Sequence, residues 1–453
     1  MESAWYQSRQ TVNQQRFGLG ARTDSTTQVA EPLQQLKLSH FVHSSIAHLP
    51  SSAAVLAVFF ELTEKRKQAT SDSEKRAISK SINQQIQGHF RNLIHARNLQ
   101  TLYTPYGFQE RIVQFWSNHF AISADVRRVK PIASSLENEV IRAHWDRDFL
   151  SMLLAVNQHP AMLLYLDNHQ SIGPNSKTGK KRNKGLNENL AREILELHTL
   201  GVNGGYTQED VLALAKAITG WSLSNKTFEF QFKDQLHEPG GVNILGKEYT
   251  QPGLIQGETV ISDLANNPNT AKHIVDKLAY HFLGTESEKV AQSMLSAWLE
   301  SEGSLLAVYQ ALLTHPSAYE PFKRRFRTPN EWFFAVLRSA AIEPSAKQMQ
   351  GMLRQLGQEP FMALSPAGWP DSDADFNSPS ALTQRWQVAN QVAQLLMNSL
   401  KAGEISASDK LTAMIEMLYG STLEQHTQVA IENAPDPLSK FVLLWMSPQF
   451  QYR

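Results

Sequence analysis

Apolar residues recur at helical spacing along most of the chain, and that period predicts a mostly α-helical fold. Residues 31–49, 51–67 and 71–98 read as three successive helices, the last long and charged, with Ser71 or Asp72 as its N-cap. The helical pattern continues through 107–165, containing FQERIVQFWSNHFAIS and a break at RRVKP. A loop at 171–186 precedes a helix at 187–200, which Gly201 is placed to end in the left-handed conformation. Thr207 caps a further helix running to Thr219. The period changes at 227–250: TFEFQF alternates like a strand, HEPGG turns, and VNILGKEY returns. This predicts a small β-hairpin inserted in a helical body. Helical spacing resumes from Gly257, interrupted by the irregular SPAGWPDSDADFNSPS at 365–380. The expected organisation is an N-terminal extension, 1–29, and one all-α domain, 30–453, with lobes 30–225 and 251–453 joined by the hairpin 226–250.

Composition narrows the chemistry. The 453 residues are 42% hydrophobic and 19% charged, as in ordinary globular proteins. The 43 basic and 43 acidic residues cancel, so no overall field favours nucleic acid or a membrane surface. No cysteine is present, which excludes disulfides, thiolate zinc sites, iron–sulfur ligation and a cysteine nucleophile. No apolar run approaches the ~18 residues of a membrane span. The N-terminus has no basic and apolar leader pattern, so the chain as written is expected in the cytoplasm; with a leader removed it would be an exported protein.

Several mechanisms fail on spacing. Five residues lie between Gly173 and Gly179 where a phosphate loop has four, and Lys181 stands where the magnesium-binding hydroxyl belongs. Gly18-x-Gly20 lacks the third glycine and the strand of a dinucleotide site. Asp371, Asp373 and Asp375 alternate as in calcium loops, but Phe376 and Leu382 replace the required glycine and glutamate.

The helix 187–200 carries the most distinctive pattern. At 100° per residue, Glu188, Arg192, Glu196 and Thr199 share one arc, with Asn189 and Glu193 beside it. Leu190, Ile194, Leu195 and Leu197 lie opposite, with His198 in the apolar arc. Two readings follow. The arc is a surface ladder of i,i+4 charges, or it faces a cavity where three carboxylates bind a metal or transfer protons. Elsewhere, His119 in aromatic company reads as a packed core histidine. Asp167 and Asn168 end a helix, where an acid opposes the dipole. His237 sits in the hairpin turn, His159 and His169 read as surface residues, and His40 and His43 as neighbours on one helix. The loop cations Lys177, Lys180, Lys181, Arg182 and Lys184 form a lid for an anionic substrate if they cover the polar arc, and a docking surface if they do not.

The blocks RFGLGA, FWSNHFAIS, LDNHQS, NENLAREILELHTLGVNGGYTQEDV, AITGW, HEPGGVNILG and LGQEPFMALSPAGWPDSDADF resemble the bacterial domain of unknown function 1800 family, from about Arg16 to the C-terminus. The resemblance implies an uncharacterised protein, often exported and often encoded beside a sulfatase-like protein, which would be its partner. The family's recurrent polar motifs match Asn118, His119, Asp167, Asn168, Glu188, Asn189, Arg192, Glu193, Glu196, Tyr206, Asp210, Trp221 and His237. With this choice of residues, the expected enzyme uses Glu188, Arg192, Glu193 and Glu196 as its catalytic group. His119, Asp167, Glu193 and His237 would bind a divalent metal such as iron, manganese, magnesium or calcium. The alternative is a non-catalytic binding or assembly protein whose polar arc fixes helix register.

Overall fold

The computed structural model describes residues 9–22, 30–182, 185–320 and 325–453, and it is predominantly helical. The two long helices Ser52–Gln68 and Asp72–Tyr103 start where their hydroxyl caps allow. Ser51 accepts from the amide of Ala54 and Ser71 from that of Glu74, satisfying N–H groups that the first turn leaves free. Thr207 caps Gln208–Ala217 through a reciprocal box with Asp210, and Gly201 turns at φ +83° after the 187–200 segment.

Three sequence expectations are corrected. Residues 31–49 hold only two short helices, Pro32–Gln35 and Ser44–Ala47. The chain between them is held by side chains from neighbouring helices. Gln109 donates to the carbonyls of Gln35 and Leu38, and Gln100 donates to Phe41 and accepts from His43, so the backbone is satisfied without a helix. His40 and His43 therefore do not share a helix.

The region 221–250 forms two hairpins rather than one. Trp221–Leu223 pairs antiparallel with Phe230–Phe232, and Val242–Ile244 with Lys247–Tyr249. The second closes through Leu245 and Gly246, both at positive φ, as a tight two-residue hairpin turn requires. VNILGKEY thus folds on itself, and TFEFQF finds Trp221 as its partner.

The presumed N-terminal extension is partly built into the body. Phe17 is fully buried, and the Arg16 guanidinium donates to the carbonyls of Ala318 and Glu320.

Two large apolar clusters form the interior. One runs from Val12 to Ala318 and includes Trp221, Ile244 and Tyr249 of the hairpins. The other gathers Leu102 with residues between Trp332 and Phe450. The first cluster ends at Ala318, and the second, apart from Leu102, begins at Trp332. Among the described residues no helix is long and apolar enough to cross a membrane.

Candidate functional site

The segment 187–201 begins as the α-helix Asn189–Glu193 and widens into a π turn, Ile194–His198, which Thr199 closes by donating to the carbonyl of Ile194. The ladder reading describes its first turn. Arg192 pairs with Glu188 at 3.1 Å, both more than a third exposed, and Gln208 bridges them by donating to Glu188 and accepting from Arg192. Such exposed pairs contribute little. Asn189 is exposed. Further along, Tyr206 donates to Glu196 at 3.2 Å. Burial, and then the charge of Glu196, raise the Glu193 carboxyl above its ordinary value. Burial, Glu193 and Asp125 push the Tyr165 phenol up to about 12. Glu193 and Glu196 thus form a carboxylate patch between two tyrosines.

The four expected metal ligands have separate partners. Asp167 stands at φ +58° and pairs with the exposed Arg128 at 3.2 Å. His237 Nδ1 donates to the carbonyl of Thr219 at 3.0 Å. Glu193 belongs to the patch just described. His119 is buried elsewhere, in a cluster of bases. Among the described residues, no three His, Asp or Glu side chains are arranged to hold a metal. Asn168 and Asp210 have structural duties. Asn168 donates to the carbonyls of Ile218 and Trp221, while Asp210 accepts from the amides of Thr207 and Leu245. Trp221 is fully buried. The basic loop packs on the hairpin connection: Thr178 and Gly173 donate backbone bonds to Gln235 and Leu236, and Lys177 pairs with Asp234 at 3.3 Å. Lys184 lies outside the described residues. His159 is buried against Glu139 at 3.1 Å, not on the surface, and His169 is half-buried.

The group that the structure does assemble lies around His119. This residue ends the inward-running helix Gly107–His119 and packs edge-on against Trp116 and Phe120. Its Nε2 lies 3.4 Å from the carbonyl of His198, and its Nδ1 lies 3.3 Å from Nζ of Lys277. One tautomer satisfies both contacts, with Nε2 donating and Nδ1 accepting from the amine. His198 and His273 have ring centres 6.3 Å from that of His119.

His273, Lys277 and His281 recur every fourth residue on the helix Pro268–Leu283, so they share one face. His281 Nδ1 lies 3.7 Å from Asp371, which also accepts from Arg325 at 3.2 Å. Glu331 completes this side, paired with Arg111 and, at 3.0 Å, with Arg453.

Lys277 differs from Arg97 and Arg111, the arginines that share its cavity and are paired with Glu137 and Glu331. Among the described residues it has no carboxylate within ion-pair distance. Burial lowers its amine below the ordinary 10.5, and Asp371 offsets this only in part. Burial, followed by the charges of Lys277, His198 and His273, holds His119 well below the histidine range. Burial and Lys277 bring His198 down to about 3. All these imidazoles are neutral at pH 7, so none competes with Lys277 as a charge.

The amine lines a cavity of about 110 Å³, shared with Arg97, Asn118, His281, Glu331 and Asp371. That volume holds several waters or one small molecule. Residues 358–371 cover it. Their fixings are the amide of Ala124 donating to the carbonyl of Phe361 at 2.8 Å, and Asn118, which exchanges two hydrogen bonds with the backbone of Trp369. Phe361 sits at φ +60°, a strained conformation for an aromatic residue, with its ring on the cavity wall under the Arg97 guanidinium. Arg97 pairs through Nε with Glu137 at 2.8 Å. Among the described residues, neither of its terminal nitrogens has a hydrogen-bond partner.

Reasoning from the sequence singled out His119 and Asn118 but missed Lys277, His273, His281, Arg97 and Glu331. The available signal was H-x3-K-x3-H on one face of an amphipathic helix, a pattern that also fits a solvated charge stripe.

Residues 13–452 match the family described as protein of unknown function (DUF1800), and the chain belongs to that family. No curated protein and no solved structure matches it.

Proposed function

We propose that this protein is an acid–base enzyme acting on a small anionic substrate in the Lys277 cavity. The observation that carries the reading is a lysine with its amine largely buried and, among the described residues, no carboxylate within ion-pair distance, set in a cavity with Arg97 and hydrogen-bonded to a neutral histidine. A lysine whose amine burial holds below its ordinary value gives up its proton more readily than an exposed one, which suits it to act as a base. His119 accepts one hydrogen of the amine and so orients the rest of the group. The terminal nitrogens of Arg97 match a carboxylate or phosphate in a two-point bond. Asp371 and His281, one helical turn beyond Lys277, stand as a second proton-transfer pair. Glu193 and Glu196 are a separate patch in this reading, and of the four expected metal ligands only His119 takes part, as the partner of the amine.

The test is the rate at which acetic anhydride labels Lys277, read by peptide mass spectrometry across pH 6–11. The expected profile has an apparent pKa below 10.5, and malonate slows labelling in the wild type but not in Arg97→Met. Failure of malonate, acetate and phosphate alike to protect Lys277 would overturn the reading. A second reading, an assembly protein, draws on one observation: Leu364, at 88% exposure, projects from the covering segment as an apolar seat for a protein partner. Capture of a partner that Leu364→Ser abolishes, without anion protection of Lys277, would favour it.

A further inference from the structure

A second, apolar site lies away from the Lys277 cavity. Leu56, Phe59 and Phe60 of the helix Ser52–Gln68, Ile82 and Ile86 of Asp72–Tyr103, Val126, Leu164 and the first hairpin's Leu223 and Phe228 enclose an open groove of about 580 Å³. That size is typical of small-molecule sites. Its floor is recessed, because Ile82, Ile86 and Leu164 are each at most 7% exposed, while Phe60 on the rim is 48% exposed. A flat bilayer surface does not reach such a floor, whereas a single chain does.

The rim is cationic. Arg127 and Arg128 line the groove together with Lys67. Lys67 pairs with Glu64, and Arg128 with Asp167. Arg127 is exposed and donates only to the amide oxygen of Asn83, at 2.8 Å; among the described residues it has no carboxylate partner. The groove's cover is strained. Phe228 adopts φ +60°, and this conformation sets its ring 5.3 Å from that of Phe60. A bulky residue in that region is strained relative to the right-handed form. Glycine would avoid the cost but would leave the groove uncovered.

We infer that this groove binds one free single-chain anionic amphiphile, a fatty-acid carboxylate. The acyl chain lies on Ile82, Ile86 and Leu164 under Phe228, and the carboxylate meets Arg127. Charge complementarity selects the headgroup, and the recessed floor selects a monomeric chain over a bilayer.

The experiment is isothermal titration of the full chain with sodium dodecanoate below its micelle concentration. Acetate provides the headgroup alone, and dodecyltrimethylammonium the same chain with opposite charge. One saturable site for dodecanoate is expected, with no heat from acetate and at least tenfold weaker binding of the cation. Arg127→Glu, an exposed substitution, should weaken dodecanoate at least tenfold. Phe228→Gly should also weaken it while leaving the thermal midpoint equal or higher, which separates lost binding from lost folding. The proposal is overturned if dodecanoate shows no saturable binding, if both amphiphiles bind alike, if neither variant differs from the wild type, or if only sedimenting phosphatidylglycerol vesicles retain the protein.

Discussion

A lysine that loses its water without gaining a carboxylate changes how the fold responds to pH. Native Lys277 holds its proton less tightly than the unfolded chain, whose lysine keeps the ordinary 10.5. Between the two values the unfolded state binds more protons, so stability rises with pH through a window that closes near 10.5. Replacement by methionine removes that dependence. Urea titrations should show Lys277→Met most favourable relative to the wild type at pH 7, with the difference shrinking toward pH 10. A constant difference would mean that the amine is not desolvated as described. The histidines act at the other end of the scale. His198 is brought down to about 3 and His40 to about 4, both by burial first. Below 6.5 the unfolded chain takes up protons that these rings refuse, so each group removes up to about 1.4 kcal/mol per pH unit as acidity increases. Among the described residues, neither buried ring nitrogen of His40 has a hydrogen-bond partner, and the ring packs on Trp145. His40→Phe should therefore lose less stability than the wild type between pH 6.5 and 4. The sequence read His119 as a packed histidine, because its aromatic neighbours are adjacent in the chain, and placed His198 in the apolar arc of its own helix, because that periodicity is local. The environments of Lys277 and His40 come from helices far apart in sequence.

Element boundaries were legible wherever a local side chain decides them. Ser71, Thr207 and Gly201 each act within a few residues of their own position, and each is found in the expected role. Segments decided by distant partners were not legible. The stretch 31–49 has helical spacing, yet Gln100 and Gln109 satisfy its backbone in another form. The π turn at 194–198 depends on one extra residue in the hydrogen-bond ring, which a fixed 100° step does not represent. The covering segment 358–371 has no period at all, and its placement rests on contacts with residues some 250 positions away, at Asn118. Gly368 shows how narrow that placement is. It lies at φ +82°, and an added Cβ would overlap the carbonyl oxygen of Asn118. Gly368→Ala should cost about 1–3 kcal/mol from backbone strain. It should also raise hydrogen exchange at Ala124, whose amide is bonded to Phe361. Unchanged protection there would show that the cover does not depend on this turn.

At the scale of the molecule, two apolar clusters could behave as two folding units or one. The expected single domain rests on what joins them. Glu331, on the helix Pro329–Ala340 of the second cluster, is paired with Arg111 on the helix Gly107–His119 of the first. It is also paired with Arg453, which further donates to the carbonyls of Arg16 and His281. All three side chains are buried, and the guanidiniums hold the Glu331 carboxyl well below its usual range. A buried pair adds little net stability when complete but is costly to break, because the survivor keeps its charge without water. Glu331→Gln leaves two guanidiniums in that state while preserving the N-cap bond to Thr328. The expected loss is about 3–5 kcal/mol, as for removal of one partner from a buried pair. The informative readout is which cluster responds. Hydrogen exchange in denaturant should follow amides around Leu153 in the first cluster and Leu353 in the second. One cooperative domain requires both sets to lose protection together in the wild type and to shift equally in the variant. If the Leu353 set opens first, and Glu331→Gln widens the gap, the ion cluster is a hinge between two units. The Lys277 cavity, lined from both sides of that boundary, would then open with it.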